Sequence, residues 1–422
     1  MATFLNGGLR DENLGIGSYT VKDWRATHRP TMQDSADRNT GLQDYCTHVL
    51  NKMMLPSGRV QLFERSEHFG DGRIRSRDSG KVRDVLVRRR IVDATQFPET
   101  LCKSFIPCFS VAPGVNVVRP IDHDAILNLS TSRFDTFCVL GGGRTGTEMV
   151  LTLLDLGVSS DSIRWVKSRD PWMLAATSKP EQARRSDNQI SNQQECLKAM
   201  AYAQNQDDLC LRLESLGVIV RTSDGQMPSY FLPHLVTHHD AERLQQVHHV
   251  IRKGHVHAIS EIGMLLSHAV VPMPEQSLYL DCTGHGGTQH APNVVFQNRT
   301  IDLAEIRLCH PSFSAAITAA IELLDISIEE KNKLCVPTRG HHIAELFLTS
   351  LLNQHAWLHD STLRTWLERC PLDSGLQTTA QRLNRSRHMP QDLGALRAIL
   401  PRAIINLESM VQKSDPQPEP RL

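Results

Sequence analysis

Along the chain the spacing of apolar positions changes character once, sharply, and the rest can be arranged around that change. Phe137-Cys138-Val139-Leu140 is a continuous apolar run, too short for a helix, and predicts a buried strand. It runs straight into Gly141-Gly142-Gly143, a turn signal. From Thr145 the spacing becomes helical. Met149, Val150, Leu153, Leu154 and Leu156 recur as far as Gly157, which stands where a C-terminal cap is wanted. Ile163-Arg164-Trp165-Val166 then predicts a second strand. Strand, Gly-rich turn, helix and strand within about 30 residues make a β-α-β unit.

The flanking pattern is less regular. Residues 42–54 predict a helix closed by Pro56-Ser57-Gly58, and short strands follow at 60–63, 73–77 and 85–93 around turns at Gly70-Asp71-Gly72 and Ser79-Gly80. That succession predicts a β-meander. Pro98, Pro107, Pro113 and Pro120 mark a linker. After the β-α-β unit the pattern predicts helices at 193–204, 206–216 and 240–250, with strands at 218–220, 255–259, 264–266 and 277–280. Helices follow at 312–324, 343–352, 362–370 and 393–411, the last broken at Pro401. The ending KSDPQPEPRL predicts disorder by composition.

The turn after the first strand spells Gly-x-Gly-x-x-Gly through Gly141, Gly143 and Gly146, and each glycine has a physical task. Gly141 permits the sharp turn, Gly143 lets the backbone approach a pyrophosphate, and Gly146 lets the helix lie close to the sheet. Amides at the start of the helix, at the favourable end of its dipole, bind anions. Arg144 and Thr145, at the variable positions, are candidate phosphate contacts. The bland alternative is a β-α-β unit in an unrelated α/β protein, or a flexible triple-glycine loop. The second strand ends in Lys167-Ser168-Arg169-Asp170. A carboxylate about 20 residues beyond the turn grips the ribose of NAD. Here Lys167 and Arg169 come first and favour the 2′-phosphate of NADP, while Asp170 keeps NAD open and ordinary solvated cations at a strand end are the plain alternative.

Composition narrows the classes. At 422 residues the chain is long enough for two or three domains. Lys plus Arg equals Asp plus Glu at 46 each, so the total charge gives no footprint for nucleic acid or an anionic membrane. The densest run, Arg88-Arg89-Arg90, reads as part of a half-exposed strand. Ten cysteines without a Cys-x-x-Cys pair, and a start without a charged-then-apolar leader, suit a reducing cytoplasm. No apolar run reaches bilayer length. Twenty histidines raise the question of a metal, but His341-His342-Ile343-Ala344-Glu345 matches neither His-Glu-x-x-His nor its inverse, and no metal site is expected. Neither a Gly-x-Ser-x-Gly elbow nor a phosphate-loop signature occurs.

One echo remains. Val92-Asp93-Ala94-Thr95 and Leu280-Asp281-Cys282-Thr283 repeat the order apolar, Asp, small, Thr on either side of the nucleotide unit. With VRRRIVDAT, FCVLGGGRTGTEMVLTLLDLGV, IRWVKSRDPWML and LYLDCTGHG in that order, most of the chain resembles a group of flavoproteins with FAD- and NAD(P)-binding domains. More distantly it is similar to flavin-containing monooxygenases and other oxidoreductases with two dinucleotide-binding domains.

That resemblance implies an α/β fold in which a Rossmann-type NAD(P)-binding domain, 134–275, is inserted into an FAD-type domain. The FAD-type parts would be 1–96, carrying the meander, and 276–412, carrying the return and the C-terminal helices, with 97–133 as linker and 413–422 as tail. It implies that Asp281, Thr283 and Gly284 approach a flavin, with His285 beside them. No catalytic side chain is assigned, because in such enzymes the cofactor carries the chemistry. The departure is the lack of a first Gly-x-Gly-x-x-Gly upstream of the meander. The expected FAD-type domain is therefore truncated, and FAD itself is in question: a shortened gene reading, a partner or second copy supplying the missing unit, or a chain that no longer uses FAD would each explain it. The expected activity is an NADP-dependent, FAD-type oxidoreductase, with monooxygenation of a small organic, secondary-type metabolite as the reaction implied. The alternative is a noncatalytic dinucleotide-binding relative acting as a partner or redox-sensing subunit.

Overall fold

In the structure, a computed structural model, residues 15–16, 19–28, 38–95, 107–119, 133–176, 186–223, 225–283, 294–338, 340, 342–385 and 391–413 are described. The chain divides into two compact units. One comprises Met1–Pro98, His290–Thr338 and Thr349–His388, and the other Glu99–Gln289, Arg339–Leu348 and Met389–Leu422.

The second unit is built on a parallel sheet. Its strands are β1 (Asn116–Val118), β2 (Thr136–Leu140), β3 (Ile163–Val166), β7 (Val250–Ile251) and β8 (Ser277–Asp281), in the spatial order β7-β3-β2-β8-β1. Every pairing in it is parallel. Helix α1 (Arg144–Asp155) connects β2 to β3. Alternate residues of β2 explain its unbroken apolar run. Phe137 and Val139 join a core with Met149, Val150 and Leu153 of α1, while Cys138 and Leu140 join a second core with Val256, Ile259, Met264 and Leu266. A strand covered on both faces has no polar side to display. Gly157 closes α1 at φ +80°, its amide on Leu154 O at 3.1 Å and that of Val158 on Leu153 O at 3.0 Å, a left-handed glycine stop.

Between β3 and β7 the chain makes a three-stranded sheet of β4 (Pro171–Ala176), β5 (Ile219–Arg221) and β6 (Tyr230–Thr237), ordered β5-β4-β6. A four-stranded sheet contains Ala269–Pro272, Gly263–Leu266, Val256–Ser260 and Ser110–Val111. β1 and Ser110–Val111 arise within the Pro-rich stretch. Helix Gln391–Lys413 runs through Pro401 without a break, contrary to expectation. Just beyond the proline, Asn406 donates to Met200 O at 2.7 Å and to Ala203 O at 2.9 Å, packing that offsets the backbone bond a proline removes.

In the first unit, helices Val21–His28 and Arg38–His48 lead into a π-helical turn, Val49–Met54. The meander is Ser66–His68, Arg73–Ser76 and Val82–Asp84. The strand expected at 85–93 forms only as Ile91–Asp93, which leaves the meander and pairs in parallel with Thr300–Asp302. Glu322 is the reason: Arg89 Nε and Arg90 Nε reach its Oε1 at 3.0 and 3.2 Å, so the arginine run serves an ion pair instead of a ladder. Helices Pro311–Glu322, Ile328–Lys333, Ser361–Leu367 and Ser374–Arg385 complete the unit around Phe296, Phe313, Ile317, Trp357 and Leu367. The chain is mixed α/β, with parallel pairing in more than one sheet and a helical C-terminal region.

Candidate functional site

In an open parallel sheet the crevice for a ligand opens at the carboxyl ends of the strands, where neighbouring connections leave in opposite directions. β2 is the central strand here, with β3 on one side and β8 on the other. The Gly-rich turn leaves its carboxyl end. Gly141 has φ +117°, and a Cβ there would lie 2.8 Å from Cys282 O, so conformation and space both exclude a side chain. A Cβ on Gly146 would lie 2.0 Å from Gly141 O; the helix approaches the turn as closely as backbone allows. Gly143 differs. A Cβ there meets nothing within 4 Å, and Gly143 is the N-cap of α1 with no capping side chain. Arg144 and Thr145 open the helix, half-buried, and Arg144 Nε lies 3.3 Å from Glu148 Oε1 one turn on. Glu148 in turn lies 3.9 Å from His234 Nε2, and burial, with Arg144 nearby, pushes that imidazole down to about 3.

The end of β3 is occupied differently from the expectation. Lys167 is wholly buried. Its Nζ pairs with Asp170 Oδ1 at 2.8 Å, donates to Ser223 Oγ at 3.1 Å and sits 4.0 Å from the Trp165 ring centroid. Asp170 is buried too and also accepts from Ser223 Oγ at 2.6 Å and from Arg252 Nε. Arg252 Nη2 donates to Ser223 Oγ at 2.9 Å. Burial and the excess of cations lower Lys167 to about 8. Asp170 is held at about 2, against burial, by Arg252 and Lys167. Arg169 is half-buried, its guanidinium 4.9 Å from the Tyr230 ring centroid.

The sheet brings the two sequence motifs together. Asp281, the last residue of β8, stands in register with Leu140, and Cys282 N donates to Leu140 O at 2.9 Å. Thr283 N donates to Asp281 Oδ1 at 3.0 Å, and Thr283 Oγ1 donates to the same oxygen. Gly141, Gly143, Arg144, Thr145, Gly146, Asp281 and Thr283 thus lie on adjoining strand ends. Lys167 and Arg169 follow the neighbouring strand. Gly284, His285 and residues 414–422 lie outside the described residues. The residues read from sequence omit Arg252 and Ser223, which reach Asp170 across 82 and 53 positions; no local pattern carries such a contact.

No family model matches the chain, and no solved structure does. It is similar to two mycobacterial proteins, "Uncharacterized protein Rv2000" of Mycobacterium tuberculosis and "Uncharacterized protein Mb2023" of Mycobacterium bovis. Each is 35% identical over 341 residues, covering 78% of this chain. The match spans 61% of the length of those relatives. Among the described residues, no helix is long and apolar enough to cross a membrane.

Proposed function

We propose that the second unit is a Rossmann-type seat for NADP(H), and that the chain serves an NADP-dependent oxidoreductase of the flavoprotein type. One observation carries the reading: at the carboxyl end of the central strand of a parallel sheet, the middle glycine of the fingerprint faces open space while its two companions are packed solid. Pyrophosphate oxygens would be met by main-chain amides at the start of α1, with Arg144 and Thr145 beside them. The state of Asp170 supports NADP over NAD. A buried carboxylate already bonded to Lys167, Ser223 and Arg252 is committed to the protein and not offered to ribose hydroxyls, while Arg169 and Arg252 leave net positive charge at the strand end.

The nicotinamide would supply a hydride, and the residues here hold and orient it. In the flavoprotein reading FAD is the acceptor. Among the described residues of the first unit no Gly-rich turn joins a parallel strand to a helix.

Calorimetric titration tests the seat. The wild type should bind NADPH more tightly than NADH, and Gly143→Val should abolish both by filling the open side. Arg169→Ala should weaken NADPH by about 1–3 kcal/mol, the scale of a charged hydrogen bond, and leave NADH nearly unchanged. No heat with either nucleotide would end the proposal. Binding of NADPH without flavin absorbance or NADPH oxidation after FAD is added would turn it to a noncatalytic dinucleotide-binding subunit.

A further inference from the structure

Lys167 stands where a phosphate ligand is wanted, yet no part of it reaches the surface. Its contacts point elsewhere. A Cβ built on Gly142 would lie 3.1, 3.2 and 3.3 Å from Lys167 Cβ, Cγ and Cδ, so the lysine stem lies against the main chain of the Gly-rich turn and would have to give by a few tenths of an ångström to admit a methyl group. One strand position pair earlier, Trp165 Nε1 donates to Gly141 O at 2.9 Å. The two side chains that support the turn from β3 also touch each other, ammonium against indole at 4.0 Å.

We infer that Lys167 is a positioning residue: through Gly142 it sets the conformation of the phosphate-binding turn, and it does not itself touch the nucleotide. This rests on the dinucleotide reading above. An apolar side chain could fill the same space, but its end would be held only by packing. The ammonium is tethered to Asp170 and Ser223, and Arg252 holds both of those partners from the third parallel strand. The turn is thereby tied to the ends of β3 and β7 together.

The charged groups facing Lys167 are Asp170 and Arg252, with Trp165 and Ser223 completing its surroundings. With two cations to one carboxylate, and full burial, the proton on Lys167 is held weakly, and it leaves near pH 8. Raising the pH through that value removes the charge that holds the stem to Asp170 and leaves only neutral hydrogen bonds in the tether, while Asp170 stays paired with Arg252.

A ligand and a positioning residue behave differently toward two cofactors that share a pyrophosphate and differ in the 2′-phosphate. In calorimetric titrations of the full chain, Lys167→Met should weaken NADPH and NADH alike, each about tenfold, because both rest on the same turn. In the wild type, affinity for both should fall as pH rises from 7 to 9.5, and in Lys167→Met the profile should be flat. NADH has no group that titrates in that interval, and the 2′-phosphate, with its second pKa of about 6, is already ionised. Gly142→Ala approaches the same contact from the other side and should give the same paired loss even if Lys167→Met does not fold. Selective loss of NADPH in Lys167→Met would make the lysine a ligand and overturn the inference. So would unchanged affinities in both variants. A wild type that binds neither nucleotide would overturn the inference together with the reading beneath it.

Discussion

The two Asp-x-Thr segments have the same local chemistry in different surroundings. In the second unit Thr283 N and Oγ1 both donate to Asp281 Oδ1. In the first, Thr95 N and Oγ1 both donate to Asp93 Oδ1, at 2.8 and 2.6 Å. Each turn ends a strand paired in parallel. Burial separates them. β8 is buried at all five positions between two neighbours, whereas Ile91–Asp93 is half-exposed in a two-stranded pair and Thr95 is exposed. The four residues dictate the turn; the sheet around them decides whether the strand that carries it is buried. A side chain folding back on its own backbone needs no tertiary help, but a carboxyl group in a buried strand stays there only while its bonds are made.

That difference can be broken by mutation. Gly146→Ala should be most damaging, because its Cβ would sit 2.0 Å from Gly141 O and backbone on both sides cannot yield; peptide-resolved hydrogen exchange should show protection lost across β2, α1 and β3. Asp281→Ala should follow, destabilising the second unit by about 2 kcal/mol, the cost of stranding the partners of a buried polar group. Asp93→Ala, whose turn is wetted by solvent, should cost less than about 1 kcal/mol on the same scale. Exchange in peptides of each unit reads the two losses separately. Equal losses at Asp93 and Asp281 would show that burial is not what separates them.

The same contrast explains what was legible in the sequence. Elements with a strong period and a stop signal were readable: β2, β3 and α1 fall within a residue or so of their expected ends, since an apolar run, three glycines and Gly157 are local instructions. The sharp turn at Gly141 and the close approach of the helix at Gly146 needed only the motif. The strand expected at 85–93 failed because Arg89 and Arg90 answer to Glu322, more than two hundred positions away. β4 and β6 went unread because their register is set by each other and by β5, not by punctuation. Helix Ile328–Lys333 was signalled by a capping box, Ser327 with Glu330, and could have been found. Lys167 is the instructive case. Its residue type suits a phosphate, but whether it meets one depends on Asp170, Ser223 and Arg252, which no spacing rule brings together.

The mildest test separates the two turns by sign. Asp93 stands in register with Asp302 on the neighbouring strand, whereas Asp281 stands opposite Leu140. Burial, and then the charge of Asp93, raise the Asp302 carboxyl above its ordinary range. A carboxyl whose pKa is higher folded than unfolded binds its proton more readily in the folded state. Its ionised form therefore works against the fold, and the penalty is complete above the folded value and absent below the unfolded one. Asp302→Asn removes that charge and retains an oxygen to accept the Gln297 amide that now donates to Asp302 Oδ2 at 2.6 Å. At pH 7 the substitution should stabilise the first unit by a few tenths of a kcal/mol, up to about 1, and the gain should vanish as acid protonates the wild-type carboxyl. Hydrogen exchange at pH 7 and near pH 4 in peptides around Ile91–Asp93 and Thr300–Asp302 reads both. A gain that persists undiminished in acid would show that charge at the paired strand ends is not its source.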